Sequence, residues 1–402
     1  MYTKLTIFFL LMFLIASNSF LLSPLLPVLQ IEFQITTVQA GWMISSYALT
    51  YAVFSLLFGP ISDKWNRKKV MMYGLVGYAM AIFLCGFSSS WLEIILYQAI
   101  AGLFAALITP QVWASITILI PPDRLVMGMG VVIGGVSAAQ VLGLPLGSFL
   151  ASISWSIPYF VLSLEAIVII ILLIWLIPSL PPPSVEKKPN PFVEPYRQLL
   201  KSSKARFGFL AYLVFAIGYY ATFTFFGKWL ADRFQLDVKT AGMVFLFFGL
   251  GSLIGSLFGS PLVTKLTRFH TLNIGAVMMS ILYIILPMSK TVLYVEVLLF
   301  TIAAIGGVLI SVILSSLQTI SSTQRGTVAA LSNSCQYFGS MIGTGMAGVL
   351  YSTLNGFFSV SLFASLMFLL SIFLFIKSKI TNDKTFEQKG INEAEGITGL
   401  IK

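Results

Sequence analysis

The sequence predicts an all-α integral membrane protein, twelve transmembrane helices arranged as two pseudo-symmetric six-helix bundles. Three observations carry this. Apolar residues make up 57% of the 402 and charged residues 9%, against roughly a quarter charged in an ordinary soluble domain, so the chain cannot cover a water-facing surface. Its charges are gathered between long apolar runs, with no Asp, Glu, Lys or Arg from Phe33 to Ser62 or from Val70 to Leu92. Twelve such runs approach or exceed the ~20 residues that a helix needs to cross about 30 Å of hydrocarbon.

The spans are expected near residues 5–30, 38–61, 69–89, 92–119, 126–151, 156–178, 207–230, 240–263, 271–289, 291–317, 326–353 and 357–377. The first opens with Lys4 and LTIFFLLMFLIA, a pattern shared with signal peptides. The apolar stretch continues to about Ile31, so it reads as a retained span. Between spans 6 and 7 stands PSLPPPSVEKKPNPFVEPYRQLLKSSKARFG, whose Pro run forbids helix at its start; Phe192 to Lys204 could lie on the membrane as a short basic helix. The expected domains are an N-terminal bundle (1–178), a cytoplasmic linker (179–206), a C-terminal bundle (207–377) and a cytoplasmic tail (378–402).

Of the 24 Lys and Arg, all but Lys228, Arg233, Lys239 and Lys290 fall on one side of this topology. The positive-inside rule makes that side cytoplasmic, with both termini there, in a cell or inner membrane. The net charge of +10 therefore points to a lipid bilayer and not to nucleic acid, for which basic residues would form a patch interleaved with aromatics. Cys85 and Cys335 sit in apolar segments and read as buried small hydrophobes. No metal-ligand spacing, P-loop or nucleophile–base pair is present, and His270 stands alone in the loop after span 8. Neither cofactor nor metal nor enzymatic activity is expected.

The halves look related. Gln140, Gly143 and Gly147 in span 5 recur as Gln336, Gly339 and Gly343 in span 11, at a constant offset of 196. The glycines read as helix-packing positions.

FGPISDKWNRKK, residues 58–69, puts five charges after an uncharged span. Gly59-x-x-x-Asp63-Lys64-x-Asn66-Arg67-Lys68 resembles the cytoplasmic signature of the major facilitator superfamily, G-x-x-x-D-R-x-G-R-R/K, in which this loop helps latch the inner gate. Gly59 would let helices approach, Asp63 would accept from a helix amino terminus, and Lys64, Arg67 and Lys68 would hold the interface. Asn66 stands where Gly is expected, tolerable because Asn enters the left-handed region. Lys64 replaces Arg and loses its bidentate fork. Gly134-x8-Gly143-x3-Gly147 is similar to the glycine spacing of drug/proton antiporters. It departs afterwards, with Ser148 where Pro is expected and Pro145 three residues earlier.

The resemblance implies one central site reached alternately from either side, lined mainly by spans 1, 4, 7 and 10. Two departures bear on coupling. Gln98 stands where the span 4 motif carries Arg, and Asn18 falls where many antiporters carry a span 1 acid, so two neutral amides replace two charges. Proton-coupling candidates are then Glu165, near mid-membrane where carboxylates are rare, and Glu296, shallower on span 10 with snorkelling as its alternative. Glu32 and Glu93 read as interfacial. Substrate-cavity candidates are Asn18, Gln98, Gln111, Trp113, Gln140, Tyr219, Tyr220, Phe223, Asn333 and Gln336. For span 7, lipid-facing aromatics are the competing reading. Aromatic faces with few polar groups suit hydrophobic or cationic ligands. The expected function is efflux of small hydrophobic or amphipathic molecules by a monomer driven by proton influx. A facilitator or importer of a polar metabolite, and a membrane scaffold or receptor, are the alternatives.

Overall fold

The computed structural model describes residues 2–62, 65–121, 124–180, 194–321 and 325–380. Its helices are α1 (Tyr2–Phe33), α2 (Thr37–Ser62), α3 (Arg67–Cys85), α4 (Trp91–Leu119), α5 (Leu125–Ala138), α6 (Leu144–Ile153), α7 (Ile157–Leu176), α8 (Glu194–Lys201), α9 (Ser203–Phe234), α10 (Val238–Ile285), α11 (Val292–Gln318), α12 (Arg325–Thr353) and α13 (Phe357–Ser378). Eleven segments among the described residues are long and apolar enough to cross a membrane; one, Val238–Leu257, lies within α10, and another, Leu266–Met288, begins in α10 and runs just past its end. The twelfth expected span, α12, is less apolar because it is rich in Gly, Ser and Thr. It packs between α2 and α9, so small side chains serve it better than greasy ones.

In the first half α2 and α3 both pack on α4, α3 on α7, and α1 on α5 and α7. In the second half α9 packs on α12 and α13, and α10 on α11 and α13. The halves meet through α1 with α9, α2 with α12, and α6 with α10. The inferred repeat holds at the level of contacts. Gly143 and Gly147 lie against Ser17 and Leu21 of α1, while Gly339 and Gly343 lie against Leu213, Ala216 and Ile217 of α9. Leu21 and Ile217 are separated by the same offset of 196. Gly134 is different: a methyl there would meet Phe9 at an ordinary 3.7 Å, and the close approach belongs to its neighbour Gly135, against the Phe9 carbonyl.

Two local features depart from simple helices. Between α5 and α6, Ala139–Gly143 form a π turn in which the Leu144 N–H donates to the Ala139 carbonyl. Pro145 sits just after it, at the start of α6. Proline has no N–H and its ring displaces the carbonyl four residues back, and a wider turn absorbs both. The expected loop between spans 8 and 9 is a break inside α10 at Thr267, with φ 61° and ψ 157°. His270 therefore lies in helix and not in a loop, with Nδ1 3.0 Å from Thr267 Oγ1. That hydroxyl also accepts from the His270 N–H at 3.5 Å, as an N-cap would at the restart.

The start of α10 is capped by Asp237, which accepts from the Thr240 N–H at 2.9 Å. Hydrogen bonds from the Thr240 side chain and backbone hold its carboxyl below the usual carboxylate range. A carboxyl depressed in the folded state stabilises above its unfolded value, and the benefit is lost as pH falls through the folded value. Asp237→Ala should therefore cost about 1 kcal/mol near neutral pH. The gap to wild type should close in acid, read as thermal unfolding of detergent-solubilised protein against pH.

Candidate functional site

The charge-rich loop forms a clip on its own half. Asn66 caps α3 by accepting from the Lys69 N–H at 3.2 Å, and donates through Nδ2 to Ser179 Oγ at 2.7 Å. Its backbone is extended, φ −63° and ψ 115°, not left-handed as expected: it caps and bridges where the signature has Gly. The Arg67 N–H donates to the Leu180 carbonyl at 2.9 Å. Lys68 Nζ donates to the Ile174 and Ile177 carbonyls at 2.9 and 2.6 Å, neutralising the carboxyl end of α7. Gly59 falls in α2, whereas Asp63 and Lys64 lie outside the described residues.

Between the halves a cluster of tyrosines gathers. Tyr47 and Tyr51 are spaced i, i+4 and share one face of α2. The Tyr51 and Tyr337 rings stack with centroids 3.7 Å apart, and Tyr47 lies 6.2 Å from each. Beside Tyr337, Gln336 is held by two tyrosines of α9: the Tyr212 hydroxyl donates to its Oε1 at 3.0 Å, and its Nε2 donates to the Tyr220 hydroxyl at 2.7 Å. Tyr219 is buried and edge-on to Tyr220 at 5.4 Å. Tyr212, Phe215, Tyr219, Tyr220, Ile310 and Gln336, all of the second half, line a crevice of about 20 Å³ without a charged side chain.

Of the residues named from the sequence as cavity candidates, Tyr219, Tyr220 and Gln336 lie together here. Their helix is not lipid-facing there, since α9 is buried from Tyr219 through Leu230 with only Tyr220 and Lys228 partly exposed. Phe223 lies deeper, packed on Phe20, Phe245 and Phe248. Asn333 is half-buried one turn before Tyr337, and Gln111 and Trp113 sit in the second half of α4, away from the crevice lining. Gln140, in the π turn, faces the second half through its carbonyl, over Gly249. Glu296 is half-buried between exposed Leu293 and Val297, at the bundle surface and not in the cluster. Tyr47, Tyr51, Tyr212 and Tyr337 escaped sequence reasoning, although the i, i+4 tyrosines of α2 were a usable signal.

Within the first half, Asn18 Nδ2 donates to Gln98 Oε1 at 3.4 Å, and both side chains are buried. The two amides that stand in for charges therefore do meet. Glu165 is half-buried on α7, beside exposed Leu164.

The halves are joined by short polar and backbone contacts. Ser23 Oγ donates to the Phe223 carbonyl at 2.6 Å, Ser45 Oγ to Met341 at 3.2 Å, and Ser334 Oγ to Ala52 at 3.0 Å. Gly227 lies directly on the backbone of Ser23 and Pro24.

Residues 8–237 and 208–396 match the family described as Major Facilitator Superfamily. The chain is 41% identical over 372 residues to "Uncharacterized MFS-type transporter YceJ" of Bacillus subtilis (strain 168), covering 92% of this chain and 95% of the relative. It is 22% identical to "Multidrug resistance protein 1" of the same organism, covering 82% and 85%. Among solved structures, a mutant of the nucleoside transporter NupG superposes with a TM-score of 0.78 at 14% identity, covering 94% of this chain and 99% of that one, which speaks to the fold. Eleven apolar spanning segments among the described residues, in two related halves that meet at the stacked Tyr51 and Tyr337, together with these matches, make the chain a member of the major facilitator superfamily, a multi-pass membrane transporter.

Proposed function

We propose that this transporter exports small hydrophobic or amphipathic molecules, lipophilic cations among them, by alternating exposure of the tyrosine cluster driven by proton influx. The observation that carries the reading is the cluster itself: six tyrosines and one glutamine, with Tyr51 of the first half stacked on Tyr337 of the second and no charged side chain lining the adjoining crevice. Tyrosine faces attract a cation without a formal counter-charge, and their rings accept apolar bodies. A crevice with room for only about 20 Å³ is far smaller than the roughly 300–1,000 Å³ of ligand pockets, so loading requires the helices around it to move apart. Residues 1–178 and 207–377 serve as the two rocking bodies of a monomer, with both termini cytoplasmic and the Asn66–Lys68 clip steadying the first body at the inner gate. The name of the relative "Multidrug resistance protein 1" supports efflux.

A second reading is favoured by one observation. The Asn18–Gln98 pair keeps the contact between α1 and α4 neutral, which suits a facilitator or importer of a polar metabolite. Accumulation of lipophilic cations, neutral drugs and organic acids in cells expressing the protein, with and without a protonophore, separates the two. Lower accumulation that the protonophore reverses establishes proton-driven efflux; raised accumulation indifferent to the protonophore establishes the facilitator.

A further inference from the structure

The hydrogen bonds around Gln336 have a direction. The Tyr212 hydroxyl donates to Gln336 Oε1 at 3.0 Å, and Gln336 Nε2 donates to the Tyr220 hydroxyl at 2.7 Å. A tyrosine hydroxyl carries one hydrogen and an amide nitrogen two, so these three side chains hold four polar hydrogens, of which the two bonds use two. The hydrogens left over are the second on Gln336 Nε2 and the one on the Tyr220 hydroxyl. Neither has an acceptor within the protein among the described residues.

Both unspent donors stand at the open end of this chain of bonds. Tyr212 is 2% exposed, whereas Tyr220 and Gln336 are half-buried, and all three line the crevice. No carboxylate shares that lining to take the hydrogens. Hydrogen bonds in series polarise one another where the dielectric is low. Donation from Tyr212 into the Gln336 carbonyl therefore strengthens the amide hydrogens, and donation from the amide into the Tyr220 oxygen strengthens its O–H as a donor. The room beside them is about 20 Å³, a little above the roughly 10–15 Å³ that a water-sized group needs. One acceptor atom fits against these donors, and the body that carries it needs the opening that loading brings.

We infer that Tyr220, with Gln336 behind it, selects molecules that carry a hydrogen-bond acceptor on an otherwise apolar body: a ketone, amide, ester or ether oxygen. A purely hydrocarbon ligand would cover these donors and leave them unpaired, a cost that an acceptor-bearing ligand escapes. A quaternary or protonated nitrogen has no lone pair to offer, so a lipophilic cation meets this requirement only through a separate oxygen. The ring faces answer to ligand charge, and the Tyr220 hydroxyl answers to the acceptor. This rests on the reading of the tyrosine cluster as the substrate site.

The test compares matched probes on the detergent-solubilised full chain, with partition into empty micelles subtracted. One pair is benzophenone and diphenylmethane; the other is (4-acetylphenyl)triphenylphosphonium and tetraphenylphosphonium. Only one member of each pair has a carbonyl. Wild type should bind the carbonyl member about three- to tenfold more tightly, which is what one neutral hydrogen bond supplies. Tyr220→Phe should bring both ratios close to one. Tyr212→Phe leaves Tyr220 its hydrogen and should lower the ratios without abolishing them. Wild-type ratios near one overturn the inference. Equal weakening of both members by Tyr220→Phe, with the ratio intact, does the same, since that is what a packing role gives. If Tyr220→Phe does not fold, Tyr212→Phe decides: a retained ratio supports the inference, and an abolished one places the free donor at the buried end and overturns it. Tyr219→Ala tests the underlying reading separately. Weaker binding of all four probes supports the cluster as the site; unchanged binding, or no binding to wild type, removes the site and the selection with it.

Discussion

Gly255→Val is expected to abolish folded protein. A side chain at Gly255 would be driven into the Ala304 carbonyl, and the neighbouring steps of the same seam are equally tight: Gly251 lies on Phe300 and Gly307 on Ser252, backbone against backbone. Overpacking a core costs typically 1–3 kcal/mol when neighbouring side chains can give way. Here the obstacle is a main-chain carbonyl, which has no rotamer to change, so the cost should exceed that range. The matched control is Gly345→Ala on α12, where no atom lies within 4 Å of the added carbon. It should fold as wild type or slightly better, since alanine favours helix over glycine by up to about 1 kcal/mol. Fluorescence-detected size-exclusion of the two variants checks both: a monodisperse Gly255→Val at wild-type yield would show that α10 and α11 are not packed this way.

Gln336→Leu should lower transport about tenfold or more with the fold intact. Leucine nearly keeps the volume, but it strands the Tyr212 and Tyr220 hydroxyls that Gln336 now joins. Hydrogen bonds between membrane helices average about 0.6 kcal/mol, with a maximum near 1.7, so two lost together approach the 1.4 kcal/mol that makes a factor of ten. Gln336→Glu retains an acceptor for both hydroxyls and should recover part of the activity. Initial rates for whichever member of the substrate panel is transported, alongside the melting temperature, make the check. A lower melting temperature with unchanged transport would reduce Gln336 to a brace between α9 and α12.

Much of this was legible before any coordinates. Membrane spans announce themselves locally, because each run of about 20 residues must satisfy its own backbone and face hydrocarbon without help from distant residues. The linker helix α8 and the internal repeat were readable for the same reason: composition and period are properties of the chain. Pro145 was recognised as misplaced relative to the expected pattern, but its consequence, a π turn over Ala139–Gly143, needed the path of the backbone. Gly134, picked out by spacing, has room to spare, whereas Gly135 beside it does not. Spacing along one helix cannot say which of two adjacent glycines faces the partner.

The site divides along the same line. Sequence by itself determined the membrane class, the span count, the two related halves and the scarcity of charge in the middle of the bilayer, which limits the candidate coupling groups to a few carboxylates. Tertiary structure alone decided that Asn18 meets Gln98, that Tyr47 and Tyr51 of α2 join Tyr337, that Gln336 sits between two tyrosines of α9, and that Glu296 turns away. These partners are 80 to 290 residues apart, and every spanning helix is apolar on most of its faces. With no hydrophobic-to-polar contrast to mark an inward face, only the packing of one helix on another selects which side chains meet.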